Sequence, residues 1–190
     1  VYITGYDLAH RTSRNVLAEW LLALPVGVSL VADLGPVESE IPGSIIDPLL
    51  RRTNLLTGNH LEITQLSARL GSQTAMREAA PDALIVRRTG VHGCILWPAH
   101  GDMIEVPGFA RDVLDTTGAG DTHTGVLVAG LMDGLDVVAA ARRANAAAAE
   151  AVSRLGPARS PRRDEIDALL ALQPDPDAEI LPDSPGVTHA

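Results

Sequence analysis

The sequence predicts an α/β fold with a largely parallel sheet flanked by helices. Three observations carry that expectation. Short apolar runs such as Val26–Leu34 and Ala83–Arg88 alternate with segments whose apolar residues recur at helical spacing. Val26–Leu34 is almost continuously apolar, as in strands covered on both faces. A glycine-rich turn, Asp115–Asp121, follows a strand-like segment and opens into a helical pattern. In open sheets of this kind the ligand crevice lies beyond the carboxyl ends of the strands. Asp33, Gly90 and the 115–121 turn all fall at such ends.

Taken in order, Val1 to Thr4 is a short strand and Gly5 its exit. His10 to Leu24 has helical spacing, with Val16, Leu17, Trp20, Leu21 and Leu24 on one face. Ser13 or Asn15 would cap this helix and Pro25 would end it. The Val26–Leu34 strand stops at Gly35-Pro36. A short helix is expected after Pro42, carrying Ile45, Ile46, Leu49 and Leu50, and then a brief strand over Asn54–Thr57. Asn59 followed three residues later by Glu62 forms a capping box. The helix it starts runs to Leu70 and stops at Gly71. Gln73 to Ala80 is a second helix, ended by Pro81.

Ala83–Arg88 is a strand, Thr89–Gly93 a turn, and Cys94–Trp97 the return strand. Met103–Val106 is a further strand. Beyond the glycine-rich turn, Thr124–Met132 is mostly small and apolar, which suits a helix buried on most of its circumference. Val137–Val152 is an alanine-rich helix, and Arg163–Leu172 closes a domain of residues 1–172. Residues 173–190, rich in Pro and Asp, are expected to form a disordered tail.

Composition excludes several classes of function. A net charge of −9 with no basic stripe argues against nucleic acid. The most apolar window, Trp20–Ala32, is too short and too broken by Pro25 and Gly27 to span a membrane. A single cysteine, Cys94, rules out an internal disulfide framework and fits a reducing compartment, so the chain is expected to be cytoplasmic. There is no G-x-x-x-x-G-K-[ST] and no G-x-S-x-G, and the six histidines lack metal-ligand spacing. His123 is expected to face the adjoining site or to pack.

The turn Asp115-Thr116-Thr117-Gly118-Ala119-Gly120-Asp121 carries the chemistry. Gly118, Ala119 and Gly120 leave backbone room for a ligand, and their N–H groups belong to the unsatisfied, electropositive start of a helix. Such a site suits a phosphate. Asp121 is an odd neighbour for a phosphate cradle unless it is a general base, taking a proton from an attacking hydroxyl. The plainer alternative is a tight turn with an acidic residue favourably placed in the helix's first turn.

The whole run resembles the C-terminal signature of the ribokinase-like (PfkB) family of carbohydrate kinases, matching it at all seven positions. The resemblance implies a Rossmann-like, ribokinase-like fold and ATP-dependent phosphoryl transfer to a hydroxyl of a small sugar or sugar-like substrate. Asp121 would be the base and Gly118–Gly120 the anion hole. Asn59 and Glu62 match the family's Asn-x-x-Glu motif and would serve magnesium through water. Gly90 and Gly93 match a T-x-G-x-x-G pattern near the nucleotide phosphates, although Arg88 stands where the family has Thr. Asn145 is a candidate neighbour of adenine, its other reading being a buried polar residue bonded to the backbone. Asp115, Thr117, Gly156 and Ser160 are candidate potassium contacts.

The chain opens on Val1 directly in a strand, and the resemblance covers only the later part of a family member. The expectation is therefore a piece lacking the N-terminal strands and β lid, partnered by a second copy or by the missing segment. The alternative is a non-catalytic nucleotide- or phosphate-binding module.

Overall fold

A computed structural model of the chain describes residues 1–156, 159–173 and 179–181. It divides into two compact units, Val1–Arg87 with Trp97–Gly101, and Arg88–Leu96 with Asp102–Ala190.

The first unit contains β1 (Tyr2–Thr4), α1 (Gly5–Ala9), α2 (Arg14–Leu22), β2 (Val31–Asp33), α3 (Gly43–Arg52), β3 (Leu55–Asn59), α4 (His60–Leu70) and α5 (Gln73–Ala79). It also holds most of β4 (Leu84–Arg88). β1 and β2 run parallel with Ile3 opposite Ala32, and β2 and β3 run parallel with Ala32 opposite Leu56. Parallel neighbours require crossover connections, and the intervening helices supply them. Ala32 and Leu56 are fully buried, as are Ile46 and Leu50 of α3, so the helices cover the apolar strands as the sequence required. The capping box at Asn59 and Glu62 and the stop at Gly71 form as expected.

Three expectations need correction here. Gly5 is not a strand exit but the first residue of a helix. The Asp7 carboxylate accepts both the Thr4 hydroxyl (2.6 Å) and the Thr4 N–H (3.2 Å), which starts that helix. The expected His10–Leu24 helix begins only at Arg14 and buries Ala18 and Leu21, while Val16 and Trp20 are 71% and 50% exposed. Leu17 packs against the core beside Ala18 and Leu21, so the buried face is rotated away from Val16 and Trp20. The strand expected from Val26 shrinks to Val31–Asp33. Pro25 and Gly27 favour a turn in which Val28 N–H bonds the Pro25 carbonyl at 2.9 Å, and Arg52 donates to the carbonyls of both Pro25 and Val28.

The second unit contains β5 (Gly93–Trp97, less its last residue), β6 (Met103–Pro107), α6 (Ala119–Met132), α7 (Val137–Val152), α8 (Arg163–Leu172) and β7 (Glu179–Leu181). β5 and β6 are antiparallel with Cys94 opposite Val106, and β6 and β7 are antiparallel with Ile104 opposite Ile180. The expected parallel pairing holds in the first unit, these strands pair antiparallel, and the architecture is mixed. Of the expected tail, residues 174–178 and 182–190 lie outside the described residues, and 179–181 pair as a strand.

α6 and α7 pack closely through small residues. A Cβ on Gly130 would lie 3.1 Å from that of Ala140. Phe109, Ala146, Ala147, Ile166 and Leu169 form an apolar cluster in this unit, and Arg154 holds Glu150 of α7 (2.9 Å) and Glu165 of α8 (2.7 Å). α6 is covered on most of its circumference, as expected, but leaves one side open. Asp121, Gly125, Ala129 and Met132 are exposed, and at helical spacing they form one stripe. No described helix is long and apolar enough to cross a membrane.

Leu56 is fully buried on β3, opposite Ala32 of β2. Leu56→Ala should destabilise the chain by roughly 2–5 kcal/mol, read as a lower urea midpoint with an unchanged m-value.

Candidate active site

The start of α6 is built from the backbone upward. Gly118 caps the helix in a left-handed conformation (φ 79°), which a residue with a Cβ adopts only at a cost. Its carbonyl accepts the Thr122 N–H at 2.9 Å. The Ala119 N–H donates to the Thr116 carbonyl at 3.2 Å, so of the three groups expected to form an anion hole this one already has a partner in the turn. Asp121 lies exposed in the first turn of the helix.

The loop before α6 is held by Asp115. One carboxylate oxygen accepts the Thr117 N–H (2.9 Å) and the other the Gly156 N–H (3.0 Å). These bonds, the one from Thr117 first, hold the Asp115 carboxyl below its usual range. The Leu114 and Asp115 N–H groups donate to the Val152 carbonyl at the end of α7. Ser160 Oγ lies 2.9 Å from the Thr122 hydroxyl on α6. Asp115, Thr117, Gly156 and Ser160, the candidate potassium contacts, are therefore brought together around one helix start. Both Asp115 oxygens there accept N–H groups of the chain itself.

Arg88 is the site's main addition to the sequence reading. A Cβ on Gly120 would lie 3.2 Å from Arg88 Nη2 and 3.3 Å from Cζ, so the guanidinium rests on the bare Cα of Gly120. Its Nη1 lies 3.4 Å from the Thr124 hydroxyl. A fixed cation thus lies beside the electropositive start of α6. The departure from Thr to Arg at position 88 was visible in the sequence, but its packing against Gly120 was not.

The two glycines of the preceding turn separate. Gly90 (φ 66°) is exposed, and a Cβ there would meet nothing within 4 Å. Gly93 (φ 95°) is buried, and a Cβ there would lie 2.2 Å from the Val106 carbonyl oxygen. The close approach of β5 to β6 is sufficient reason for that glycine.

Asn145 is 4% exposed, and its amide is fully engaged inside the protein. Nδ2 donates to the carbonyls of Val106 (2.9 Å) and Pro107 (3.1 Å), and Oδ1 lies 3.0 Å from His123 Nε2. This is the buried, backbone-bonded arrangement of the two open at sequence level. His123 is 2% exposed and packs rather than facing solvent. Burial first, then the positive charge of Arg88, lowers its pKa to about 4. Burial pushes the Cys94 thiol up to about 12, which leaves it an inert core residue.

Asn59 and Glu62 lie in the first unit at the start of α4. Asn59 Oδ1 accepts the Glu62 N–H (2.9 Å), and Glu62 Oε2 accepts the Asn59 N–H (2.7 Å). Among the described residues no cluster of three or more His, Cys, Asp or Glu could hold a metal ion.

Residues 35–163 match the family described as pfkB family carbohydrate kinase. The uncharacterized sugar kinase YegV of Escherichia coli K12 is 32% identical over 181 residues, covering 90% of this chain and 54% of that one. The bifunctional protein HldE of Trichlorobacter lovleyi is 35% identical over 190 residues, covering 94% of this chain and 38% of that one. The chain thus spans about half the length of these relatives, or less. Among solved structures, aminoimidazole riboside kinase from Salmonella enterica, complexed with aminoimidazole riboside and an ATP analog, superposes with a TM-score of 0.73. At 24% identity the match covers 90% of this chain and 56–62% is the range that two such kinases show for their own length, 56% for the Thermotoga maritima ribokinase and 62% for the Salmonella enzyme.

His123 gives the site a pH signature. Its folded pKa, about 4, lies below the unfolded value of 6.5, so the unfolded chain binds the extra proton between those values. The stabilising contribution is complete above about pH 6.5 and is lost as the pH falls toward about 4, at up to roughly 1.4 kcal/mol per pH unit. Urea unfolding at stepped pH should show that slope, and His123→Gln should flatten it.

Proposed function

The chain belongs to the pfkB family of carbohydrate kinases, and on that premise we propose that it transfers the γ-phosphoryl group of ATP to a hydroxyl of a small sugar-like substrate. The observation that carries this reading is the left-handed Gly118 opening α6 with Asp121 in the helix's first turn. A phosphate cradle needs no carboxylate beside it, whereas an attacking hydroxyl needs a base. The hydroxyl oxygen forms a bond to the γ-phosphorus as its proton passes to Asp121, and the bond from that phosphorus to the bridging oxygen breaks to release ADP. The N–H groups at Gly118–Gly120 and the Arg88 guanidinium meet the charge on the transferred group. Gly90, in its exposed turn, is the approach for the nucleotide phosphates. The name of the YegV relative and the ligands named for the Salmonella structure support a sugar or riboside acceptor.

Magnesium, when bound, neutralises the nucleotide phosphates. The oxygens of Asn59 and Glu62 are hard donors suited to it, and with no larger protein cluster among the described residues it would keep most of its water and phosphate ligands. Asp115 and Ser160, with the Thr117 and Gly156 backbone, are the groups that would border a potassium ion.

The test is ADP release from MgATP across free sugars and nucleosides, with Asp121→Asn alongside. Sugar-dependent release should fall by about 10²-fold or more in the variant. Calorimetry should find ATP binding within a few-fold of the parent. Near-parental rates in the variant would overturn the role of Asp121. ATP binding by the parent with no acceptor-dependent release would favour a binding module.

A further inference from the structure

The loop from β6 to α6 leaves at Pro107 and lands at Gly118. One buried amide ties the departing end to the helix beyond the loop. Asn145 Nδ2 donates to the Val106 and Pro107 carbonyls, where the loop departs. Its Oδ1 faces His123 Nε2, two residues beyond Asp121. Carbonyl oxygens only accept, so the two bonds from Nδ2 fix which way the amide points. Oδ1 is then an acceptor, and His123 Nε2 must be the donor. Burial and the nearby charge of Arg88 keep the ring neutral, so its one proton is on Nε2 and Nδ1 is an acceptor. Nδ1 is buried with no hydrogen-bond partner among the described residues.

A ring with a buried, unpartnered nitrogen carries a cost that Leu or Phe would not. What it offers in exchange is the Nε2–H bond. Asp121 and His123 sit about 200° apart around the helix, one exposed and one buried, so holding the ring restrains the backbone that carries Asp121. The amide of Asn145, with its donors and its acceptor all engaged, has nothing left to offer a nucleobase.

We propose that His123 and Asn145 are positioning residues, a buried clamp across the β6–α6 loop that holds the first turn of α6, and with it Asp121, in register. The link to Asp121 catalysis rests on the kinase reading, while the clamp itself does not. The charged group that bears on the ring is Arg88, which disfavours a second cation nearby; Cys94, which shares Asn145 with the ring, stays a neutral thiol.

The experiment uses the full chain with three readouts. Nitrogen-detected NMR should find His123 protonated on Nε2 and bare on Nδ1 from pH 8 down to pH 5.5. Amide exchange at Ala119 and Thr122, whose N–H groups donate to the Thr116 and Gly118 carbonyls, should accelerate at least tenfold in His123→Leu and return toward parental rates in His123→Gln, which keeps a donor for Asn145. In turnover, His123→Leu should lose about tenfold or more in kcat with KM for ATP within twofold. Asn145→Leu should leave the preference for ATP over GTP in binding unchanged. A ring protonated on Nδ1, unaltered exchange in His123→Leu, or a selective loss of ATP over GTP in Asn145→Leu would each overturn the proposal. If the parent shows no turnover while the tautomer and exchange results hold, the kinase reading fails and the clamp stands. If the Leu variants do not fold, the NMR of the unaltered chain decides.

Discussion

The second unit depends on one constraint, that the backbone entering α6 be held in a left-handed turn without a side chain to cap it. Gly118 takes the conformation, but a glycine alone fixes nothing, since it is the residue with most freedom to lose. The fixing is done from outside the turn. Asp115 spends both carboxylate oxygens on N–H groups from Thr117 and Gly156, which lie far apart in sequence. Val152 accepts the N–H groups of Leu114 and Asp115 at the end of α7. The Ala119 N–H is turned back to Thr116. Each bond is modest, about 0.5–1.5 kcal/mol net and somewhat more to the carboxylate, yet together they leave the loop little freedom.

Much of this was legible in the sequence because it is local. The capping box at Asn59 and Glu62 depends only on residues three apart, and it forms with the expected bonds. Val137–Val152 is a helix with the expected ends, because alanine favours helix throughout and Asp136 caps its start. The Asp115–Asp121 turn was found because its glycines and carboxylate are contiguous. What the sequence concealed are choices made by distant partners. The buried face of α2 includes Ala18, whose small size counts for little in a hydrophobic pattern. The start of β2 was decided by the competing turn at Pro25 and by Arg52 reaching back from α3. The exposed stripe of α6 is hidden in the sequence because Gly125 and Ala129 are apolar without being large.

The glycines teach the same distinction. Gly90 and Gly93 look equivalent in a Gly-x-x-Gly pattern, and both have positive φ. Gly93 is required by the protein's own packing, since the Val106 carbonyl occupies the place of a side chain, whereas no described atom crowds Gly90. Gly120 is a third case. Its missing side chain makes room for a guanidinium and not, on that side, for a ligand. A glycine-rich motif therefore mixes residues that serve a ligand with residues that serve the fold, and only the surrounding atoms tell them apart.

The electrostatics of the α6 turn follow from that contact. The chain is acidic overall, at −9, so any approaching anion meets an unfavourable long-range field. The remedy is local. The helix N-terminus contributes a partial positive charge, and Arg88 adds a full one in contact with the same turn. The consequence is felt inward as well as outward. His123 lies behind this turn, and a proton on its ring would add a second cation to one already buried in part; burial and Arg88 together keep the ring neutral. A neutral ring donates one hydrogen bond from Nε2 and so fits the single acceptor that Asn145 offers. The charge that would draw an anion to the outer face of α6 thus also sets the protonation state of the inner face, and the two faces of the helix are chemically coupled through Arg88.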